Sequence, residues 1–590
     1  MVGIPKVGSQ DLRPLTILCA LYRLWARRWA KACSLWMDLW LPDGMRGARV
    51  NASAHDNAWE VVSRVEMARC GADPPLAVLS TDQAKCFDRL HLDTLLAILD
   101  RIGAPRQMRF VLNLYRRLHR HFFVDGMPTR YSCFGLVMCG IPQGCPFATL
   151  FCNLAMFAWD AHLQAHRPDL RLLTFLDDRV VLGASVADLV VALELTLEVD
   201  AALGPDLNRT KSVWDMFQRR ARHVVGAVAD IPRAVGSFVY LGVDIVASCG
   251  PCVFPRPRQG QRVDSFFARC ELARALPSCT RGLAVSDAMQ GLWLGAGSAL
   301  SANQGQRIVS AAAAALRGTS LASRFRAREA ELLLRAPGSH RTHVWAAAVV
   351  SIVCALCRLL AANRLSDARW SALWQRRKQH RGGPWRLLDS ALSALGASWP
   401  SSHQFVCVGS GFVWTVPPRG ALHGGLLHDL RDFLRSALWS RLAARRPKDF
   451  AGAESGVLRS PFIASALSSP CGPSLLSGGL WTRMRFFVWG GEPTSTCLAC
   501  GLGPHTVEHA LWSCPMHAVR LWQLRATISA AGFPELARGL PHSLEPCFWR
   551  CGLAPIWCDL PAALVEAIQQ FVLASAQSST RVLAFRKGVG

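Results

Sequence analysis

Lysine is nearly absent from this chain. Only Lys6, Lys31, Lys85, Lys211, Lys378, Lys448 and Lys587 occur, within a total of 66 basic residues. Arginine therefore carries the charge, and a lysine stands out wherever a compact donor is wanted. Acidic residues number 41, which leaves a net charge of +25 and a pI near 9.8. Such a balance calls for a polyanionic partner, either nucleic acid or an anionic membrane surface. Hydrophobic residues make up 51% of the chain, so a disordered basic tail is excluded and a packed chain is expected. The Met1 region carries Lys6, Asp11 and Arg13 before any apolar run and lacks a small-residue cleavage site, so no secretory signal is expected. The longest lipid-like run, Trp345 to Cys357, falls short of the about 20 residues of a membrane helix and predicts a buried helix, with no membrane partner. The 22 cysteines show no framework spacing and read mostly as reduced core thiols. No internal repeat is evident.

Against these absences, carboxylates occur in particular places. Leu76-Ala77-Val78-Leu79 predicts a buried strand ending just before Asp82. Leu172 to Leu176 and Val180 to Leu182 predict a hairpin with Asp177 and Asp178 in its turn. Strands from distant parts of the chain can then set these carboxylates side by side. Two divalent cations roughly 4 Å apart, held that way, lower the pKa of an attacking hydroxyl and hold a triphosphate. Magnesium needs only a few carboxylates plus waters and phosphate oxygens. An Asp-Asp pair alone is commonly a polar turn. Together with Asp82 and the turn Gly140-Ile141-Pro142-Gln143-Gly144, it points to nucleotide polymerisation.

In this order the residues resemble a reverse transcriptase, most of all those of non-LTR (LINE-type) retrotransposons, from about Ile4 to Ile245. The resemblance implies two Mg2+ ions on Asp82, the Gln83 carbonyl and Asp177, with Asp178 in support. Ile4-Pro5-Lys6 and Arg13-Pro14-Leu15 match the fingers motif whose lysine and arginine hold the incoming triphosphate. Phe87 matches the aromatic gate that leaves no room for a 2′-hydroxyl, and so favours deoxynucleotides. Gln143 and Gly144 match the loop on the template and new base pair, with Gly144 allowing close backbone approach. Lys211, in Leu207-Asn208-Arg209-Thr210-Lys211 after a helix from about Ala187 to Leu203, matches the lysine that protonates pyrophosphate. For Lys6 and Lys211 the plainer reading is a solvated loop lysine. Tyr240, Leu241 and Gly242 lie in the segment resembling the primer grip.

There are departures from the family pattern. Ala148-Thr149 stand where many relatives carry serine-proline, and Cys86 and Leu176 stand where alanine is usual. The fingers are expected to be shortened at the N-terminus.

Further along, arginines at 256, 258, 262, 269 and 274 follow Pro255 and Pro257, predicting an extended start and a helix after Val263. That helix reads either as a thumb helix along a duplex backbone or as a solvated basic face. Between Ala284 and Leu373 alanine and leucine predict packed helices, and Arg376 to Pro384 predicts an exposed linker. Cys497, Cys500, His509 and Cys514 can close a tetrahedral zinc site, with His505 a competitor for the third position. The cluster resembles the cysteine-histidine module downstream of many non-LTR polymerases. Trp481, Arg483, Arg485 and Trp489, just before it, read either as a strand clamp or as core.

The expected fold is α+β: a right-hand polymerase of fingers, palm and thumb, then a mostly helical C-terminal region with a small zinc-binding module. The expected spans are fingers and palm 1–245, thumb and helices 246–375, a region without assigned role 384–490, the zinc module 491–530 and a tail 531–590. The implied partners are an RNA template, a DNA primer or target and deoxynucleoside triphosphates, in the nucleus or a cytoplasmic ribonucleoprotein. The alternatives are a group II intron-like reverse transcriptase and maturase, or an inactive relic that retains nucleic-acid binding.

Overall fold

The computed structural model describes residues 2–5, 12–49, 52–124, 127–133, 136–219, 226–248, 257–293, 300, 302–317, 327–335, 342–378, 383–417, 424–458, 460–480, 482–488 and 492–586. The chain forms two compact units, Met1–Arg258 with Arg364–Gly383, and Gln259–Asn363 with Pro384–Gly590. The stretch expected as one helical region over 246–375 is thus divided between them.

In chain order the first unit contains β1 (Val2–Pro5), β2 (Leu12–Leu15), α1 (Ala20–Asp38), α2 (Ala54–Cys70), β3 (Leu76–Thr81), β4 (Gln83–Ala84) and α3 (Cys86–Arg89). Next come α4 (Leu92–Arg101), α5 (Arg106–Arg116), β5 (Arg120–Val124), β6 (Met127–Cys133) and α6 (Ala148–His166). It continues with β7 (Arg171–Phe175), β8 (Asp178–Gly183), α7 (Val186–Leu203), β9 (Asp206–Leu207), β10 (Val213–Phe217), β11 (Ser237–Tyr240) and β12 (Val243–Val246).

The central sheet is antiparallel in the order β10-β3-β8-β7. Val78, Val180, Leu182 and Leu173 pack against Ala58, Val61, Val62 and Val65 of α2. On the opposite face Ala77, Leu79, Leu172 and Val181 meet Trp159 and Leu163 of α6 and Leu189, Ala192 and Leu193 of α7. Burial on both faces is why β3 reads as an unbroken apolar run. The flanking helices start at capping boxes, Ser53 with Asp56 for α2 and Ser185 with Asp188 for α7, and end at left-handed Gly71 and Gly204. A separate sheet, β2-β1-β5-β6, carries the N-terminal hairpin.

Three sequence expectations are corrected here. Phe175 pairs with Asp178, so the hairpin turn is Leu176-Asp177 and Asp178 already begins β8. The helix expected after Val263 starts earlier, as α8 (Pro257–Ala275), because proline suits a first helical turn. Arg376 is not an exposed linker residue: its guanidinium donates to the Cys70 carbonyl. It follows α13 (Asp367–Gln375), a helix of the first unit that lies between α9 (Ser278–Trp293), α10 (Ala302–Arg317), α11 (Arg328–Arg335) and α12 (Val344–Ala361) of the second unit and what comes after. Arg377 lies against Trp374, Lys378 is exposed, and residues 379–382 lie outside the described set.

The second unit is helical apart from one three-stranded sheet, β13 (Ala397–Ser401), β14 (Gln404–Cys407) and β15 (Val413–Thr415). Among the described residues α12 alone is long and apolar enough to cross a membrane, which the shorter run read from sequence was not. Its side chains from Val344 to Leu360 are largely buried within the unit.

Candidate active site and metal cluster

The site begins with strand register. Thr81 of β3 pairs with Arg179 of β8, so Asp82, one residue further, stands opposite Asp178. The Leu176-Asp177 turn brings Asp177 to the same end, with Leu176 at φ 57, a strained conformation for a leucine. Burial and the carboxylates of Asp177 and Asp82 push Asp178 up to about 7. The three aspartates therefore share one electrostatic environment. Their mutual repulsion and hard oxygen donors fit divalent cations, which would relieve that repulsion.

Neighbouring backbone holds Asp82 in place. Its N–H donates to Ser212 Oγ at 3.1 Å, and its carbonyl accepts from the Asn208 N–H at 2.8 Å. Lys211 lies in the same turn, exposed, its own N–H on the Asn208 carbonyl. The Gln83 side chain is buried and donates to Asp200 at 2.8 Å.

Phe87, in the short helix α3, is half-buried against the core formed with α4, α5 and α6. Its carbonyl accepts from the Ile141 N–H at 2.6 Å, which ties it to the loop carrying Gln143 and Gly144. Gln143 donates to Asp88 at 3.4 Å, and its carbonyl accepts from the Thr16 N–H at 2.8 Å. Gly144 sits at φ 105, and a Cβ there would lie 2.9 Å from the Thr16 carbonyl oxygen. The close approach expected of Gly144 is thus made within the protein, to the segment after β2. Cys86 and Leu176 both join the apolar cluster beneath the loop.

On the N-terminal hairpin Ile4 pairs with Arg13, while Lys6 lies outside the described residues. At β11-β12, Leu241 and Gly242 form a two-residue turn with φ of 47 and 76, the type I′ geometry. Tyr240 is buried, and its hydroxyl pKa is raised by burial and by Asp178. Of the three expected grip residues, Leu241 and Gly242 form the turn and are half-buried.

One pairing beside the site was missed in the sequence. Arg179 and Asp200 form a buried ion pair at 2.8 Å beside the aspartates. A charge in the buried strand run after Asp178 requires a partner, and Asp200 is an acidic residue within the apolar helix α7.

In the second unit the ligand atoms of Cys497, Cys500, His509 and Cys514 lie within 4.8 Å of one another. A tetrahedron with metal–sulfur bonds of about 2.3 Å has edges of about 3.8 Å, so the cluster could hold a metal ion. The tight turn Cys497-to-Cys500 is closed by the Gly501 N–H on the Cys497 carbonyl, and the Cys514 N–H reaches the His509 carbonyl. Cys500 Sγ lies 3.2 Å from His509 Nε2 and accepts from the Leu502 N–H, a bond that lowers its thiol pKa. Burial pushes the Cys514 thiol up to about 12, aided by the neighbouring Cys497. His505 is otherwise engaged, because its Nδ1 accepts from the Arg483 N–H at 3.0 Å.

Arg483 and Arg485 are structural staples and not a strand clamp. Arg483 reaches Glu492 and the Thr496 carbonyl, while Arg485 donates to the carbonyls of Gly478 and Leu480. Trp481 and Trp489 lie outside the described residues. The cluster is built into a larger core: Ala510, Leu511 and Trp512 pack with Phe571, Val572 and Ala576 of the C-terminal helix Ala562–Arg586.

Residues 4–245 match the family described as reverse transcriptase (RNA-dependent DNA polymerase). This segment is a reverse transcriptase domain, and the activity such a domain carries is RNA-directed DNA polymerisation. Solved structures similar to the chain include telomerase from Candida tropicalis with the TWJ fragment of telomeric RNA, at 13% identity and TM-score 0.32, covering 58% of this chain and 55% of that one. The apo telomerase from Candida tropicalis is similar at 11% identity and TM-score 0.33, covering 58% and 60%. Telomerase from Candida albicans in complex with the same kind of fragment is similar at 13% identity and TM-score 0.31, covering 58% and 54%. The chain thus spans about half the length of these telomerases. No curated protein matches it.

Proposed function

We propose that the chain is the reverse transcriptase of a non-LTR retrotransposon, extending a primer 3′-hydroxyl with deoxynucleotides along an RNA template. The observation that carries the reading is Asp82 opposite Asp178 at the end of paired strands, with Asp177 in the adjoining turn, inside the residues that match the family. Bound at these carboxylates, two magnesium ions supply the activated hydroxyl and the charge neutralisation that phosphoryl transfer needs.

The chain's own residues then have defined tasks. Asp82 and Asp177 orient the ions, and Asp178 supports them. Phe87 excludes a 2′-hydroxyl. Gln143 and Gly144 place the template-side loop. Lys211 gives a proton to the departing pyrophosphate, a step worth about 10²–10⁴ in rate for a positioned acid. Lys6 and Arg13 hold the triphosphate, and the β11-β12 turn guides the primer end. Cys497, Cys500, His509 and Cys514 would hold a zinc ion, which would stabilise a segment that grips the nucleic acid downstream. The work is done in the nucleus or in a cytoplasmic ribonucleoprotein.

Primer extension on an RNA template with magnesium tests this. The unaltered chain is expected to incorporate deoxynucleotides, and Asp177→Ala to lose activity by on the order of a thousandfold, several kcal/mol of transition-state stabilisation. Equal incorporation by both would remove the proposed site.

A further inference from the structure

Beside the aspartates lies a charged group with no task in the chemistry above. Arg179 is 0% exposed and Asp200 is 2% exposed. Nη1 and Nη2 of Arg179 donate to the two Asp200 oxygens at 2.8 Å each, and its Nε donates to Thr81 Oγ1 at 3.2 Å. Gln83 Nε2 donates to Asp200 Oδ1 at 2.8 Å, and the Trp159 ring lies 5.3 Å from the guanidinium. The pair therefore involves Thr81 and Gln83, on either side of Asp82, and the residue that follows Asp178.

One buried thiol lies within reach of both the pair and the site. The buried Cys152 thiol is raised by its hydrogen bond to Cys86 and by burial, and it also senses both the Asp177 carboxylate and the Arg179 guanidinium. A guanidinium does not give up its proton inside a protein, whereas a lone buried carboxylate takes one up. The two halves of the pair are consequently unequal. Without Asp200, Arg179 would be a fixed positive charge beside a site that gathers cations.

We propose that Asp200 is a positioning residue acting through Arg179: it neutralises the guanidinium, so that Asp82, Asp177 and Asp178 present their full negative charge to divalent cations. This rests on the polymerase reading of the aspartate cluster.

Manganese binding by the zinc-saturated full chain, followed by electron paramagnetic resonance, tests the asymmetry. Asp200→Asn should raise the half-saturating manganese concentration about tenfold, by the size of a nearby unscreened charge. Arg179→Gln should bind equally or more tightly. The double variant Arg179→Met with Asp200→Leu removes both charges at similar volume and should stay within about threefold of the unaltered chain. Equal weakening in the two single variants would mark the pair as a structural staple only and overturn the proposal. So would Asp200→Asn binding like the unaltered chain. If Asp200→Asn does not fold, the two remaining variants decide: weakening by about tenfold in either overturns the proposal. Asp177→Ala, measured alongside, separates the two failures. If it binds manganese undiminished, the reading of the aspartate cluster has failed. If it loses binding while the pair variants show no asymmetry, only the role of Asp200 has failed.

Discussion

Asp160 and Glu60 are both buried acids near Arg171, yet their surroundings work in opposite directions. Burial pushes Asp160 up to about 6, only partly countered by Arg171. Burial also acts to raise Glu60, but the Arg171 hydrogen bond at 2.9 Å and the Arg46 guanidinium hold it below the usual carboxylate range. A raised acid binds more protons folded than unfolded, so the contribution of Asp160 to stability falls as pH rises from about 4 to about 6. Asp160→Asn should therefore stabilise the chain by about 1–3 kcal/mol at pH 7.5, with the gain gone at pH 4, as thermal melts at the two pH values would read. Glu60→Gln should do the reverse, because it strands Arg46, which is 1% exposed. The expected loss is about 3–5 kcal/mol in a denaturant titration; a loss under about 1 kcal/mol, the range of an exposed ion pair, would show that the pair is not buried in solution.

Turns, more than strands, connect the working parts at the scale of the element. The loop through Gln143 and Gly144 ties the residue after β2 to α3, so the N-terminal hairpin and Phe87 share one support. Gly144→Ala would force a Cβ to 2.9 Å from the Thr16 carbonyl oxygen at a positive φ. It should lower stability by about 1–3 kcal/mol and raise the KM for deoxynucleotides more than it lowers kcat. A KM left unchanged would detach this turn from nucleotide binding. At the cysteine-histidine turn, Cys497→Ser and Cys514→Ser should each lose bound zinc in elemental analysis, while His505→Ala keeps it, because the His505 ring is occupied by Arg483. Zinc loss in His505→Ala alone would reassign the third ligand. These elements differed in how plainly the sequence announced them. β3 and the β7-β8 hairpin were readable because apolar runs ended on carboxylates, a local signal. The Arg179–Asp200 pair was not, since its members lie 21 residues apart and meet only through the packing of α7 on the sheet. The β13–β15 sheet was likewise hidden. Its core is the ring contact of Phe405 with Trp399 and Trp414, which short runs such as Val413–Thr415 do not advertise.

Over the whole molecule, charge is the property that the fold leaves least compensated. The buried carboxylates Glu60, Asp200 and Asp449 are all paired with arginines inside the structure, and each such pair leaves the net charge unchanged. Exposed arginines such as Arg23, Arg27 and Arg28 on the outer side of α1 carry part of the excess of 25 positive charges. Arginine holds its charge at every working pH, so attraction for a nucleic-acid backbone should change little between pH 6 and pH 9 and strongly with salt. If about 6–10 phosphates are neutralised on binding, affinity for a primer-template duplex should fall by about 10³–10⁵ between 50 and 200 mM monovalent salt. Fluorescence anisotropy with a labelled RNA–DNA hybrid reads the slope directly. A slope near zero would mean that the surplus arginines face something other than phosphate. A slope that varies with pH instead would place histidines, and not arginines, at the contact.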